Sequence, residues 1–121
     1  MNFVILTFLR RTTLTEKHSQ AMHYWSQKEL INEYTMLKMI HLTDTHLVEK
    51  GTRLYGLDPY ERLKLAIKDI NGSHKDADCA VITGDLTNWG TPEEYKDLAE
   101  ILSHLQLPLH LLLGNHDNRG N

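Results

Sequence analysis

Between residues 37 and 113, three short apolar runs alternate with two segments spaced for a helix, and this alternation narrows the fold more than any other feature of the sequence. Residues 37–43 carry Met39, Ile40 and Leu42, Cys79–Thr83 is apolar and β-branched, and residues 109–113 are leucine-rich. Between the first two runs, Asp58-Pro59 forms a helix start, a capping carboxylate followed by proline at the first helical position. Leu63, Ala66, Ile67 and Ile70 then recur at i, i+3, i+4 and i+7, and Gly72 is expected to close the helix. Between the second and third runs, Thr91-Pro92-Glu93-Glu94 forms a capping box; Leu98, Ile101, Leu102 and Leu105 give the apolar stripe, and Pro108 is expected to end it. Strands separated by helices pair in parallel, with right-handed crossovers. The expected class is α/β, in the order β-α-β-α-β.

Composition excludes several classes. Thirteen Lys and Arg against sixteen Asp and Glu leave a net charge of −3, which gives no basic footprint for a nucleic-acid polymer and no polycationic patch for a membrane. No apolar run approaches the roughly 18–20 residues needed to cross a bilayer. Cys79 is the one cysteine, so no internal disulfide forms, and a cytoplasmic setting is expected. Residues 3–9 are apolar, but Arg10-Arg11 follow them and no small-residue cleavage site is present, so they do not read as a secretory signal. The domain reading is a poorly determined N-terminal extension over residues 1–35 and a domain over residues 36–121. Oligomeric state is not legible.

Each apolar run ends in side chains that can bind a metal: Asp44 and His46 after the first, Asp85 after the second, Asn115 and His116 after the third. In a parallel sheet the carboxyl ends of the strands share one edge, where open α/β folds place ligands. Asp44 and His46 are two residues apart, so on a continuing strand they would point to the same face. Gly84 and Gly114 precede Asp85 and Asn115, as expected where backbone turns off a strand close to a ligand. Carboxylate, amide and imidazole donors suit Mn, Fe or Zn better than a soft thiolate metal. No Gly-x-Gly-x-x-Gly or Walker-type phosphate loop follows the first run, which sets aside an unrelated nucleotide-binding module.

Asp44-x-His46, Gly84-Asp85 and Gly114-Asn115-His116-Asp117, in this order at strand ends, resemble the first three motifs of the calcineurin-like metallophosphoesterases. Leu42-Thr43-Asp44-Thr45-His46-Leu47, Leu54-Tyr55-Gly56-Leu57-Asp58 and Thr83-Gly84-Asp85-Leu86 are similar to the class III cyclic nucleotide phosphodiesterases. Asp-x-His alone is common; three motifs in order carry the resemblance, which covers residues 36–119. It implies the parallel half of an α/β/β/α sandwich and hydrolysis of a small phosphodiester, a cyclic nucleotide being the expected substrate. It also implies two divalent ions, with Asp44 and His46 on the first, Asp85 bridging and Asn115 on the second. His116 would act on the phosphoryl group or leaving oxygen, with Asp117 orienting it.

The family's later motifs, a lone histidine and a Gly-His-x-His, fall beyond Asp117, and this sequence ends at Asn121. The expectation is therefore a truncated, N-terminal part of the domain that holds at most one ion well and turns substrate over poorly. The competing expectation is a catalytically inactive fragment that at most binds one divalent metal. Of the remaining residues, Cys79 reads as a small buried hydrophobe, Tyr55 as packing rather than substrate stacking, and Glu93, Glu94, Lys96 and Asp97 as a solvated helix face. Asn88 and Trp89 are expected to shape the cleft rather than to catalyse.

Overall fold

The computed structural model describes residues 1–11 and 34–121. The elements in chain order are β1 (Asn2–Arg11), β2 (Tyr34–Thr43), α1 (Pro59–Ser73), β3 (Cys79–Thr83), α2 (Pro92–Leu102) and β4 (Leu109–Leu111). They form a four-stranded sheet in the order β1-β2-β3-β4. β2 and β3 pair in parallel, Met39 opposite Cys79 through Thr43 opposite Thr83, and β4 pairs in parallel with β3, Ala80 opposite Leu109 and Ile82 opposite Leu111. The α/β class and the β-α-β-α-β order from β2 to β4 are as the sequence implies. Two compact units are distinguished. One comprises Met1–Leu6 with Lys38–Asn121; the other, Thr7–Leu37, lies largely outside the described residues.

The start of the chain differs from the sequence expectation. Residues 2–11, read as part of an undetermined extension, form β1 and give the sheet a fourth strand. Val4, Ile5 and Thr7 supply the β-branched residues that favour this state. Met22, Trp25, Leu30 and Ile31 give the sequence a weak helical periodicity, and this stretch lies outside the described residues.

Alternation along β2 and β3 buries Ile40, Leu42, Ala80 and Ile82 on one face, where they join Leu63, Ile67 and Ile70 of α1 and Leu98 and Ile101 of α2 in one core cluster. Each buried leucine or isoleucine among them contributes about 1.5–3 kcal/mol. Cys79 lies on the opposite face and is only half-buried, because the burial alternates along β3 and inward positions fall on Ala80 and Ile82.

Both helix starts are as the sequence dictates. Asp58 accepts the Glu61 N–H at 3.0 Å, and Thr91 and Glu94 form a reciprocal capping box. The ends differ. α1 runs through Gly72 to Ser73, because the last-turn bond from His74 N–H to the Ile70 carbonyl forms without a left-handed glycine. α2 stops at Leu102, well short of Pro108, because the N–H groups of His104 and Leu105 turn back to the carbonyls of Ile101 and Leu102. β4 is three residues long, and Leu112 and Leu113 beyond it are exposed.

Candidate metal centre

The chain leaves β2 at Thr43 and does not continue as a strand. Asp44 and His46 both adopt left-handed backbone, with φ of 52° and 42°. The same-face argument for this pair therefore fails, since the strand has ended before either residue. Asp and His tolerate this region better than most residues, and such strained positions concentrate at functional sites.

The departing segment is stitched to the one leaving β3. Asp44 N–H donates to the Thr83 carbonyl at 3.0 Å, His46 N–H to Asp85 at 2.9 Å and Leu47 N–H to Leu86 at 3.0 Å. The buried Thr45 hydroxyl donates to the Leu86 carbonyl at 2.6 Å. This lacing, invisible as any side-chain motif, fixes the first two ligand-bearing loops against each other.

Two glycines let the third loop and the carboxylates close in. A Cβ on Gly114 would collide with the Asp85 carboxylate and lie 2.5 Å from the Asp85 nitrogen, so only glycine lets the β4 exit lie on the β3 exit. Gly84, at φ 79°, leaves the space taken by the Asp44 carboxylate.

The result is a cluster in which His46, Asp85 and His116 each offer one ligand atom, all within 4.8 Å of one another. Asp85 Oδ2 faces His46 Nε2 at 3.6 Å and His116 Nε2 at 3.9 Å, both too long for a hydrogen bond. The two imidazole rings meet edge to face with centroids 5.1 Å apart. Asp85 is 8% exposed, so its carboxylate is committed to these neighbours and to the His116 N–H, which it accepts at 2.9 Å. His46 Nδ1 is buried with no hydrogen-bond partner, an orphaned polar atom in a cluster of metal donors. Two imidazoles and a carboxylate at this spacing fit a borderline divalent ion.

Of the other expected site residues, Asp44 lines the adjoining cleft together with Thr45, His46, Asn88 and His116. Asn115 is exposed, on the loop between Gly114 and His116. Asp117 does something other than orient His116. Its carboxylate accepts from Leu86 N–H and Gly114 N–H on one oxygen, and from Thr87 N–H, the Thr87 hydroxyl and the Tyr95 hydroxyl on the other. Burial pushes this carboxyl up, but the donors from Leu86, Gly114 and Thr87 outweigh it and hold it below the ordinary carboxylate value. The partner of His116 Nδ1 is instead the main-chain carbonyl of Asn88, at 2.8 Å. A carbonyl can only accept, so Nδ1 carries the proton and Nε2 is the atom turned toward Asp85.

The chain belongs to the calcineurin-like phosphoesterase family. The family's model matches residues 37–121. Among the similar proteins is one from Rhodopseudomonas palustris named "Probable cyclic nucleotide phosphodiesterase", 48% identical over 83 residues, which are 69% of this chain and 30% of that protein. A glycerophosphodiester phosphodiesterase of Enterobacter lignolyticus is 35% identical, over 67% of this chain and 30% of its own length. A cAMP/cGMP dual specificity phosphodiesterase of Mycobacterium tuberculosis is 36% identical, over 67% of this chain and 27% of its own. The chain thus spans about 30% of the length of the curated relatives it matches.

Within this calcineurin-like phosphoesterase segment, three features escaped the sequence. Thr45 and Thr87 are buried polar supports whose partners come from other loops. Glu94, read as part of a solvated face, is fully buried and accepts the N–H groups of Trp89 and Thr91, at 3.0 and 3.2 Å. The capping box was its one available signal, because a glutamate that caps its own helix points back at the backbone. Tyr55, read as packing, is 96% exposed.

Proposed function

We propose that this chain contributes the N-terminal part of a metal-dependent phosphodiesterase centre acting on small phosphodiesters, cyclic nucleotides above all. The observation that carries the reading is the convergence of His46, Asp85 and His116 within 4.8 Å, at a cleft of about 370 Å³. Asp44, His46, Asp85 and Asn115 would hold divalent ions, Mn, Fe or Zn. Such ions, when bound, supply positive charge to a phosphoryl oxygen and make water nucleophilic at neutral pH. In this reading His116 stands beside the ions rather than on them: with Nδ1–H donating to Asn88, its Nε2 would take up a second proton and hold it for the leaving oxygen. Asp117 would act only by holding the loops that carry Asp85 and His116. The charge balance supports a small substrate rather than a nucleic-acid polymer or membrane, and the single cysteine supports a cytoplasmic setting. No described helix is long and apolar enough to cross a membrane.

The test is a manganese titration of the chain by calorimetry, followed by hydrolysis of bis-p-nitrophenyl phosphate in excess manganese. Manganese binding and turnover that both disappear in Asp85→Ala support the reading. Failure to bind manganese would remove it. One observation favours the second reading, an inactive chain holding a single ion: the described cluster offers three donors around one point. Binding of one manganese per chain without turnover would establish that alternative.

A further inference from the structure

The cleft beside the cluster is also lined by residues that the metal chemistry does not use. Leu54 and Leu57 exchange N–H to carbonyl bonds of 2.9 and 3.0 Å, closing a two-residue turn with Tyr55 and Gly56 at its tip. Both tip residues have positive φ, 50° at Tyr55 and 80° at Gly56, the pattern of a type I′ turn. A bulky aromatic in left-handed backbone is strained, and such strain persists only where the surroundings impose it. Here no packing offsets it, because the Tyr55 side chain is 96% exposed. Yet Tyr55 lines the same cleft as His46 and His116, with Leu54, Leu57 and Pro59. Arg62, from the first turn of α1, lines it too, and its guanidinium makes no ion pair or hydrogen bond among the described residues. The lining of the cleft thus combines imidazoles and a carboxylate with an exposed aromatic ring, its apolar flanks and an uncommitted cation.

Resting on the function proposed above, we propose that the Leu54–Leu57 turn is the subsite for the organic group of the ester, and that this group is a flat heteroaromatic base. Tyr55 stacks on the base and Arg62 pairs with the phosphate. The names of the relatives cover both cyclic nucleotides and glycerophosphodiesters, and a planar platform discriminates between those classes: base–aromatic stacking favours a nucleobase and offers little to an aliphatic alcohol.

The experiment compares 3′,5′-cyclic AMP with ribose 3′,5′-cyclic phosphate, which lacks only the base, for binding to the manganese-loaded full chain by calorimetry. The unsubstituted chain is expected to bind the nucleotide about tenfold more tightly. Tyr55→Ala abolishes that preference and leaves the affinity for the base-free ester and for manganese unchanged; Tyr55→Phe keeps it. Arg62→Ala weakens both esters by the same factor, since both carry the phosphate. In the chain loaded with diamagnetic zinc instead of manganese, the Tyr55 ring resonances shift upfield with the nucleotide and not with the base-free ester. A tenfold preference that survives Tyr55→Ala, or no preference in the unsubstituted chain, overturns the subsite while manganese and base-free ester binding leave the metal centre standing. A loss in Arg62→Ala confined to the nucleotide, or no loss, overturns the Arg62 assignment. A chain that binds neither manganese nor either ester overturns both readings.

Discussion

Asp85 and Asp117 hold each other's loops. Asp85 Oδ1 accepts the N–H of His116, the residue before Asp117, while Asp117 Oδ2 accepts the N–H of Leu86, the residue after Asp85, at 2.9 and 3.0 Å. This reciprocal pair brings the exits of β3 and β4 together and sets the spacing between Asp85 and His116. The site is therefore held by two carboxylates in different trades: one faces the imidazoles, and the other is saturated by five donors.

Asp117→Asn separates these trades. An amide has one acceptor oxygen, and its NH₂ would face donors that the second carboxylate oxygen now accepts. The expected cost at neutral pH is about 1.5–3 kcal/mol, the range for hydrogen bonds to a charged group. Because the folded carboxyl lies below the ordinary value, its contribution is fully present above about pH 4 and is lost as pH falls through the folded value. Thermal melts across the acid range should show that limb in the unsubstituted chain and its reduction in Asp117→Asn. A variant with an unchanged acid limb would remove Asp117 from this role.

Gly114→Ala should disturb the site more than its single methyl implies. The added carbon would meet main-chain atoms of Gly84 and Asp85, which cannot rotate away as a flexible side chain would. Overpacking of this kind costs about 1–3 kcal/mol. The expected result is a lower melting temperature together with weaker manganese binding. An alanine variant with both properties intact would show that the β4 exit does not need the close approach.

Thr91→Ala tests the cap that also anchors the loop behind His116. Thr91 accepts the Glu94 N–H, and Glu94 in turn holds Trp89, one residue after the Asn88 carbonyl that meets His116. Loss of such a cap costs about 0.5–2 kcal/mol. Chemical denaturation should read that loss, and Thr91→Ser should restore most of it. Equal stability in alanine and serine variants would contradict the prediction.

Manganese should stabilise the fold by mass action. At a free concentration about one hundred times the dissociation constant, one site adds about 2.7 kcal/mol. Melts with manganese and with EDTA measure the difference, and Asp85→Asn should abolish it. A shift that persists in that variant would move the ion elsewhere.

How far the sequence reaches can be judged from particular residues. Strands β2 and β3, both helix starts and the Gly84-Asp85 and Gly114-Asn115 turns are local features, set by periodicity of two or 3.6 and by capping chemistry between near neighbours. That Asp44, His46, Asp85, Asn115 and His116 share one edge was legible because parallel pairing sends every strand exit there, but the convergence of His46, Asp85 and His116 in particular was not. The role of Asp117 was not legible, since its donors lie at Leu86, Thr87 and Tyr95, and adjacency to His116 in sequence pointed to the wrong partner. The Asn88 carbonyl left no trace because every residue offers the same main-chain group, and only its position in the fold distinguishes this one. Tyr55 misled for the opposite reason: an aromatic residue is ordinarily worth most when buried, and only the turn geometry places this one in solvent.

By itself, then, the sequence determined which elements form, their order and the chemical kind of each side chain at the strand ends, because those depend on interactions within a few residues. Only the tertiary structure decided which of those side chains meet, which carboxylate faces the imidazoles and which is spent on backbone donors. Those outcomes depend on loops approaching one another across thirty or more positions of chain, and nothing local encodes the distance between them.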